Sequence, residues 1–361
     1  MKLAGESTKR RVVQWSTGAC GSIAVNAIGR RPDLELVGTW VHDPAKVGRD
    51  VGELAGGTPV GLTATDDTEA LLALAPDCVC YTAIGESRPE DCIDDLCQIL
   101  SAGINVVSTS VPGLIHPPAY DAAVVARLEA ACRRGGVSFY MSGIEPGFVA
   151  DHLVAMLTTG SSRIDSVRTQ ELFSYSDYPV AFTMFEFMGF GKPVDHVCLL
   201  EQPGVQTSIW GPPVRMVADM LGVELEAIRE TFDKRLTPRP LEVAAGRIEA
   251  DTVGALRFET IGVVDGRDAI VIEHVNRMAR DLAPDWPTAE RDGVYRIEIE
   301  GSPKLRCELT VGTEQDFSDE GLVVTTMRAV NAIPYVCDAR PGVIGASDLP
   351  LTVPYGAFDP A

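Results

Sequence analysis

Residues 11–22, Arg-Val-Val-Gln-Trp-Ser-Thr-Gly-Ala-Cys-Gly-Ser, constrain the fold more than any other stretch of the chain. A β-favouring run with Val12, Val13 and Trp15 leads into Gly18 and Gly21, and an apolar-periodic stretch with Ile23, Ala24, Ala27 and Ile28 follows. Strand, tight turn and helix in that order aim backbone N–H groups and a helix N-terminus at a pyrophosphate. Gly18 lets the backbone approach the phosphates, and Gly21 lets the helix pack close to the strand. The pattern is an incomplete G-x-G-x-x-G, with Ser16 in place of the first glycine. Ser16, Thr17, Gly18, Ala19, Cys20, Gly21 and Ser22 form the expected phosphate cradle. The competing reading is a glycine-rich turn in an ordinary α/β fold.

The surrounding 150 residues alternate. Strand-like runs near 11–16, 34–41, 77–83, 104–109 and 137–141 are separated by helix-like runs near 20–31, 66–75, 88–102 and 118–134. That rhythm predicts a Rossmann-like parallel sheet with right-handed crossovers. Beyond residue 150 the pattern changes to a helix-like stretch (150–157) and a long alternating run (164–175). Helical segments near 180–190 and 212–222 come next. Strand-like runs at 239–250, 254–264, 268–279, 293–301 and 303–312 then read as hairpins, with Asp265-Gly266 a strong turn signal. The expected architecture is therefore α/β: a first domain over 1–150, and an α+β domain over 151–318 with a mixed, mainly antiparallel sheet. Over 319–361 a late helix (321–332) and a Pro/Gly-rich tail return to the first domain.

Composition narrows the function. A net charge of −20 argues against nucleic-acid partners and acidic membrane surfaces, which call for a basic face. The nine cysteines show no paired zinc-type spacing and read as buried thiols in a reducing compartment. The N-terminus lacks the apolar segment of a signal peptide, and no apolar run reaches membrane-span length. A cytoplasmic protein acting on a small molecule is expected.

Candidate chemistry sits where loops leave the predicted strands. After the second strand, Asp43 could hold the ribose hydroxyls of NAD. His42, Lys46 and Arg49 could instead surround a 2′-phosphate, which favours NADP with NAD still possible. Thr82 and Ala83, and Ser108, Thr109 and Ser110, end later strands and would line the ligand crevice. Glu145, in Gly-Ile-Glu-Pro-Gly-Phe (143–148) at the domain junction, is the carboxylate with a claim to acid/base work, weighed against a helix N-terminal carboxylate beside Pro146. His116 and Lys192 are lesser candidates for the cleft. Phe182, Met184, Phe185, Phe187, Met188 and Phe190 suit either an apolar pocket wall or plain core.

These segments resemble the dihydrodipicolinate-reductase-like superfamily, and within it the 2,4-diaminopentanoate dehydrogenase and native amine dehydrogenase branch. The resemblance rests on Gln14–Ser22, Lys46–Asp50, Asn105–Thr109, Gly143–Phe148 and Arg328–Pro334, and runs over nearly the whole chain. It implies a Rossmann domain, a second domain that often dimerises, and hydride transfer from NAD(P)H to an imine or carbonyl. It also puts Asn331 among the cofactor residues and suggests a homodimer. Two departures stand out. The His-His pair of the dihydrodipicolinate reductases is absent. The glutamate that amine-dehydrogenase members carry after the strand at 104–109 is missing from Ser110-Val111-Pro112-Gly113-Leu114. Glu145, where family members commonly have Asn, could supply a carboxylate from another wall. The resulting expectation is an NAD(P)H-dependent oxidoreductase acting on C=O or C=N of a small, apolar substrate. The alternative is a non-catalytic NAD(P)-binding sensor.

Overall fold

The computed structural model describes residues 9–85, 88–313 and 316–358. The chain divides into two compact units: residues up to Gly147 together with those from Leu322 onward, and Phe148–Gly321 between them.

The first unit alternates strictly. Its strands are β1 (Arg10–Trp15), β2 (Leu34–Trp40), β3 (Cys78–Tyr81), β4 (Asn105–Ser108) and β5 (Ser138–Met141). Between them run α1 (Ala19–Arg30), the short α2 (Val51–Leu54) and α3 (Thr68–Ala73), then α4 (Pro89–Ser101) and α5 (Ala122–Gly135). Local chemistry sets the helix ends. The Asp121 carboxylate caps α5 by accepting from the N–H groups of Ala123 and Val124, and Gly136 closes it in the left-handed region.

The second unit carries α6 (Val154–Thr158), β6 (Arg163–Ser174), α7 (Val205–Leu221), β7 (Ala227–Leu236), β8 (Leu241–Val243), β9 (Gly246–Ile248), β10 (Val253–Val264), β11 (Arg267–Arg277), β12 (Val294–Ser302) and β13 (Leu305–Thr310). The chain then enters α8 (Phe317–Cys337) and ends its regular structure with β14 (Gly342–Ile344).

The first sheet is parallel throughout, in the order β14-β5-β4-β3-β1-β2. The chain leaves β1 for one neighbour, β2, and returns to the other, β3. The order therefore reverses at β1, and ligands of such sheets bind outside the carboxyl ends of the strands at that point. Ala329, Val330, Ala332, Ile333 and Val336 of α8 pack with Val12, Ala24, Ile28 and Val107 in this unit's core. The second sheet has the order β13-β12-β6-β11-β10-β7, with β6 and β11 parallel and the other neighbours antiparallel.

Four elements depart from the sequence expectation. β7 was absent from it because the strand is an edge with charge along its length (Arg229, Glu230, Asp233, Lys234, Arg235), which hides the alternation. β14 lies in the Pro/Gly-rich tail and is three residues long. α7 starts at Val205 rather than 212, since Pro212 and Pro213 sit inside the helix instead of opening it. α8 runs past its expected end, through Pro334, to Cys337. Met184, Met188 and Phe190 are core residues, whereas Phe182 is 60% exposed, so this segment is mostly interior packing.

Candidate functional site

The carboxyl ends of β1 and β3 hold the first cluster. Ser16 leaves β1 with φ +83°, the left-handed region that the missing glycine would occupy without cost. Two bonds hold it there: its N–H donates to the Trp40 carbonyl (2.8 Å), and its carbonyl accepts from Gln14 Nε2 (3.0 Å). Gln14 is fully buried and also donates to Thr82 Oγ1 (2.8 Å), while Thr82 donates to the Trp15 carbonyl (3.1 Å). One side chain thus ties the loops after β1 and β3 together. A Cβ on Gly21 would stand 2.2 Å from the Ser16 carbonyl oxygen, so the close helix–strand approach requires glycine there. Around Gly18, the nearest atom to such a Cβ is Ser16 Oγ at 3.9 Å, and Gly18 and Ala19 are exposed. The N-terminus of α1 has no side-chain cap and no acid in its first turn. Its orphan N–H groups and positive dipole end are therefore open to an anion.

Lys46 reaches this loop, donating from Nζ to the Thr17 carbonyl (3.1 Å) and Thr17 Oγ1 (3.2 Å). His42, Asp43 and Arg49 are exposed beyond β2. Asp43 spends one carboxylate oxygen on the Ala45 N–H (2.9 Å) and so caps the turn Pro44–Lys46. Ala83 directly follows Thr82 at the end of β3. Ser108 accepts from the Ser110 N–H (3.0 Å), Ser110 Oγ donates to the Tyr81 carbonyl (3.3 Å), and the Thr109 N–H donates to the same carbonyl (3.2 Å). The hydroxyl loop after β4 is thereby locked beside β3. Cys20 turns its thiol toward Thr326 of α8, and burial pushes that thiol up. Ser22 bonds back to the Gly18 carbonyl as the first helical turn.

Asn331, expected among the cofactor residues, meets the end of α1 that carries Arg31. Its amide oxygen accepts from Arg31 Nη1 (2.7 Å), and Arg31, 4% exposed, caps the opposite end of α1 from Gly18. The residue is committed to joining two helices. Arg328, on the same helix, has a local role the sequence did not reveal. Its Nε and Ser142 Oγ both donate to the Gly147 carbonyl (3.2 Å each), anchoring the 143–147 turn. Gly147 itself is at φ +126° with its Cα against the Gly143 N–H, where a Cβ would come within 2.1 Å. Glu145 rides on this turn with its carboxylate oxygens shielded from solvent. Lys192, in the second unit, is paired with Glu186 (2.7 Å).

A second cluster went unnoticed in the sequence. On the face of the second sheet covered by α7, Glu171 is 6% exposed. Its Oε1 accepts from Tyr175 Oη and Asn276 Nδ2 (3.0 Å each), and its Oε2 accepts from Tyr295 Oη (3.2 Å). Burial pushes its carboxyl above the usual range despite these three donors. His274 stands opposite Glu171 in the β6–β11 register, stacked on Phe258 (centroids 4.5 Å) and 4.5 Å from Trp210 of α7. Complete burial holds its imidazole neutral, with a pKa of about 3. The only sequence signal was an acid inside the alternating run 164–175, indistinguishable from a solvent-facing one.

Among the described residues no group of His, Cys, Asp and Glu is arranged to hold a metal ion, and no helix is long and apolar enough to cross a membrane. All nine cysteines are free thiols.

Residues 148–357 match the 2,4-diaminopentanoate dehydrogenase C-terminal domain. The chain is 38% identical to an amine dehydrogenase of Streptomyces virginiae over 94% of its own length and 96% of the relative's. It is 24% identical to the 2,4-diaminopentanoate dehydrogenase of Acetoanaerobium sticklandii, over 95% and 94% of the two chains. The amine dehydrogenase structure from Mycobacterium smegmatis shares the fold at TM-score 0.76 and 22% identity, covering 97% of this chain and 99% of that one. Dehydrogenase names on relatives that align end to end disfavour the non-catalytic sensor. The chain belongs to the 2,4-diaminopentanoate dehydrogenase family, and it is an NAD(P)-dependent oxidoreductase acting on a small molecule.

Proposed function

We propose that this enzyme uses NADPH in preference to NADH and interconverts a small carbonyl compound and the corresponding amine. The observation that carries the cofactor reading is the uncapped N-terminus of α1 behind an open Gly18, with Lys46 already bonded into the loop. Ser16–Ser22 would hold the pyrophosphate through backbone N–H groups. Lys46 and Arg49, with His42, would take a 2′-phosphate. Asp43, which would favour the free ribose hydroxyls of NAD, is half spent on its own turn. Thr82, Ala83 and Ser108–Ser110 would line the crevice beyond. When bound, the nicotinamide supplies the hydride. The amine reading follows the name of the Streptomyces relative.

Glu145 supports the chemistry as a carboxylate shielded from water on a turn braced by Ser142 and Arg328. Its role is to accept or return the proton as nitrogen adds to the carbonyl carbon. Nine free thiols suit a reducing, cytoplasmic setting, and a homodimer is the expected assembly.

Fluorescence titration with NADPH and NADH tests the cofactor reading. Lys46→Ala combined with Arg49→Ala raises the Kd for NADPH by about 30-fold and that for NADH by less than about threefold. Equal losses for both cofactors would remove the 2′-phosphate assignment. Glu145→Gln lowers turnover of ketone with ammonia by about 100-fold at unchanged NADPH affinity; unaltered turnover would take Glu145 out of the chemistry.

A further inference from the structure

Glu171 is a buried carboxylate surrounded entirely by neutral donors. A buried charge is ordinarily paired with an opposite one, because the desolvation cost otherwise goes uncompensated. Among the described residues no cation is paired with it; its partners are two tyrosine hydroxyls and one amide.

The neighbouring acceptors point the same way. An ionised carboxylate accepts hydrogen bonds only, so the Asn276 amide nitrogen must face it, which fixes the orientation of the amide. The Asn276 oxygen is then a fully buried acceptor with no donor among the described residues. Directly opposite Glu171 in the register, His274 Nδ1 is a buried nitrogen without a partner among the described residues, in a side chain 3% exposed. The cluster therefore holds one buried acceptor, the Asn276 oxygen, that no donor among the described residues reaches.

Aromatic rings complete the setting. Phe173 lies 4.8 Å from Tyr295 and 6.5 Å from Tyr175, centroid to centroid, and Tyr175 lies 5.8 Å from Tyr178. Tyr175 and Tyr178 are only half-buried, which makes them the outer wall of the cluster.

We propose that Glu171, Asn276, Tyr175 and Tyr295 form a subsite for a primary ammonium group of the substrate. An ammonium nitrogen carries three donors. Glu171 and the Asn276 oxygen accept two of them, and the tyrosine rings screen the charge from water. The subsite rests on the amine reading above, and its residues belong to the second unit alone.

Calorimetric titration of the full-length protein with n-butylammonium chloride, and with n-butanol as the uncharged control, tests this without turnover. Glu171→Gln weakens n-butylammonium binding by about 30-fold and leaves n-butanol binding unchanged. Tyr175→Phe, which keeps the ring and removes one hydroxyl, weakens it by about threefold and guards against a folding defect in the first variant. The Kd for NADPH, measured on the same samples, stays within twofold. Equal n-butylammonium affinity in the wild type and Glu171→Gln, or no binding by the wild type, overturns the subsite. If n-butylammonium binding depends on Glu171 but neither nicotinamide cofactor binds, the subsite stands and the cofactor reading falls. If NADPH binds and n-butylammonium is indifferent to Glu171, the subsite alone falls.

Discussion

The two sheets bury their strands in opposite ways. In the first unit β3, β4 and β5 are four residues each and almost wholly buried, with sequences such as Cys-Val-Cys-Tyr and Ser-Phe-Tyr-Met. Their polar groups gather at the carboxyl ends, and the chemistry offered there comes largely from backbone N–H groups and a helix end. In the second unit β6 and β11 run 12 and 11 residues and carry the carboxyl groups of Glu171 and Glu273 into the interior. A parallel sheet covered on both faces works as a platform whose function is at its rim. A mixed sheet with one polar face can present side chains directly.

Within the second sheet the contrast sharpens to two glutamates on opposite faces. Glu273, 1% exposed, is bonded by Arg168 (2.6 Å), Arg257 (2.7 Å) and Gln170 (2.8 Å). Burial works to raise its carboxyl, yet Gln170 and the two guanidinium groups outweigh it and hold the group below the usual range. Glu171 lacks cations and is shifted the other way. Glu273→Ala should therefore cost on the order of 3–5 kcal/mol, because it removes three hydrogen bonds to a buried carboxylate, two of them from guanidinium groups that keep only Glu259. Glu171→Gln should cost less than about 1 kcal/mol, since no ion pair is broken. Urea unfolding of both variants makes the comparison; equal losses would break it.

His274 gives the next largest effect. Its folded pKa of about 3 lies below the ordinary value of 6.5, so between those values the unfolded chain binds more protons and stability rises with pH. Stability is lost as pH falls from 6.5, by about 3 kcal/mol at pH 4. Glu171 acts with the opposite sign, since a carboxyl raised in the folded state contributes stability at low pH that is lost as pH rises through its folded pKa. His274→Phe should flatten the acid limb in a pH series of urea midpoints. A limb unchanged by that substitution would mean another group controls it.

How legible these features were depends on the same contrast. The first unit could be read from short apolar runs alternating with helices, because its strands have one chemical character. The tight strand-to-helix turn there could be read because Gly21 is required by a 2.2 Å approach that no other residue permits. Gln14 carried no such signal: its importance lies in bonds to residues that meet only after β1 and β3 pair. In the second unit β7 was hidden by its charges. Glu171 and Glu273 differ only in which face they occupy, and that is settled by register across strands a hundred residues apart.

At the rim, Gly21→Ala tests the close approach. The added methyl meets the Ser16 carbonyl, and something must shift at a cost of about 1–3 kcal/mol. Since the displaced atoms form the proposed pyrophosphate cradle, NADPH affinity should fall along with stability in parallel thermal and fluorescence titrations. A stable variant with undiminished NADPH affinity would detach the cradle from this loop.

The smallest effect concerns Ser16, and it is the most discriminating about the rim. A non-glycine residue in the left-handed region costs roughly 1–2 kcal/mol, and Ser16 at φ +83° bears that cost while its backbone is held by Trp40 and Gln14. Ser16→Gly relieves the strain but gives the unfolded chain more freedom, offsetting about 0.5–1 kcal/mol of the gain. The net expectation is a stabilisation of less than about 1 kcal/mol, a rise of at most about 2 °C in Tm, with NADPH affinity unchanged within about twofold. That result fits a rim whose binding groups belong to the backbone, where the side chain at this position is tolerated rather than used. A drop in NADPH affinity would instead assign the Ser16 hydroxyl a direct part in holding the cofactor, and the division between a backbone rim and a side-chain face would no longer separate the two sheets.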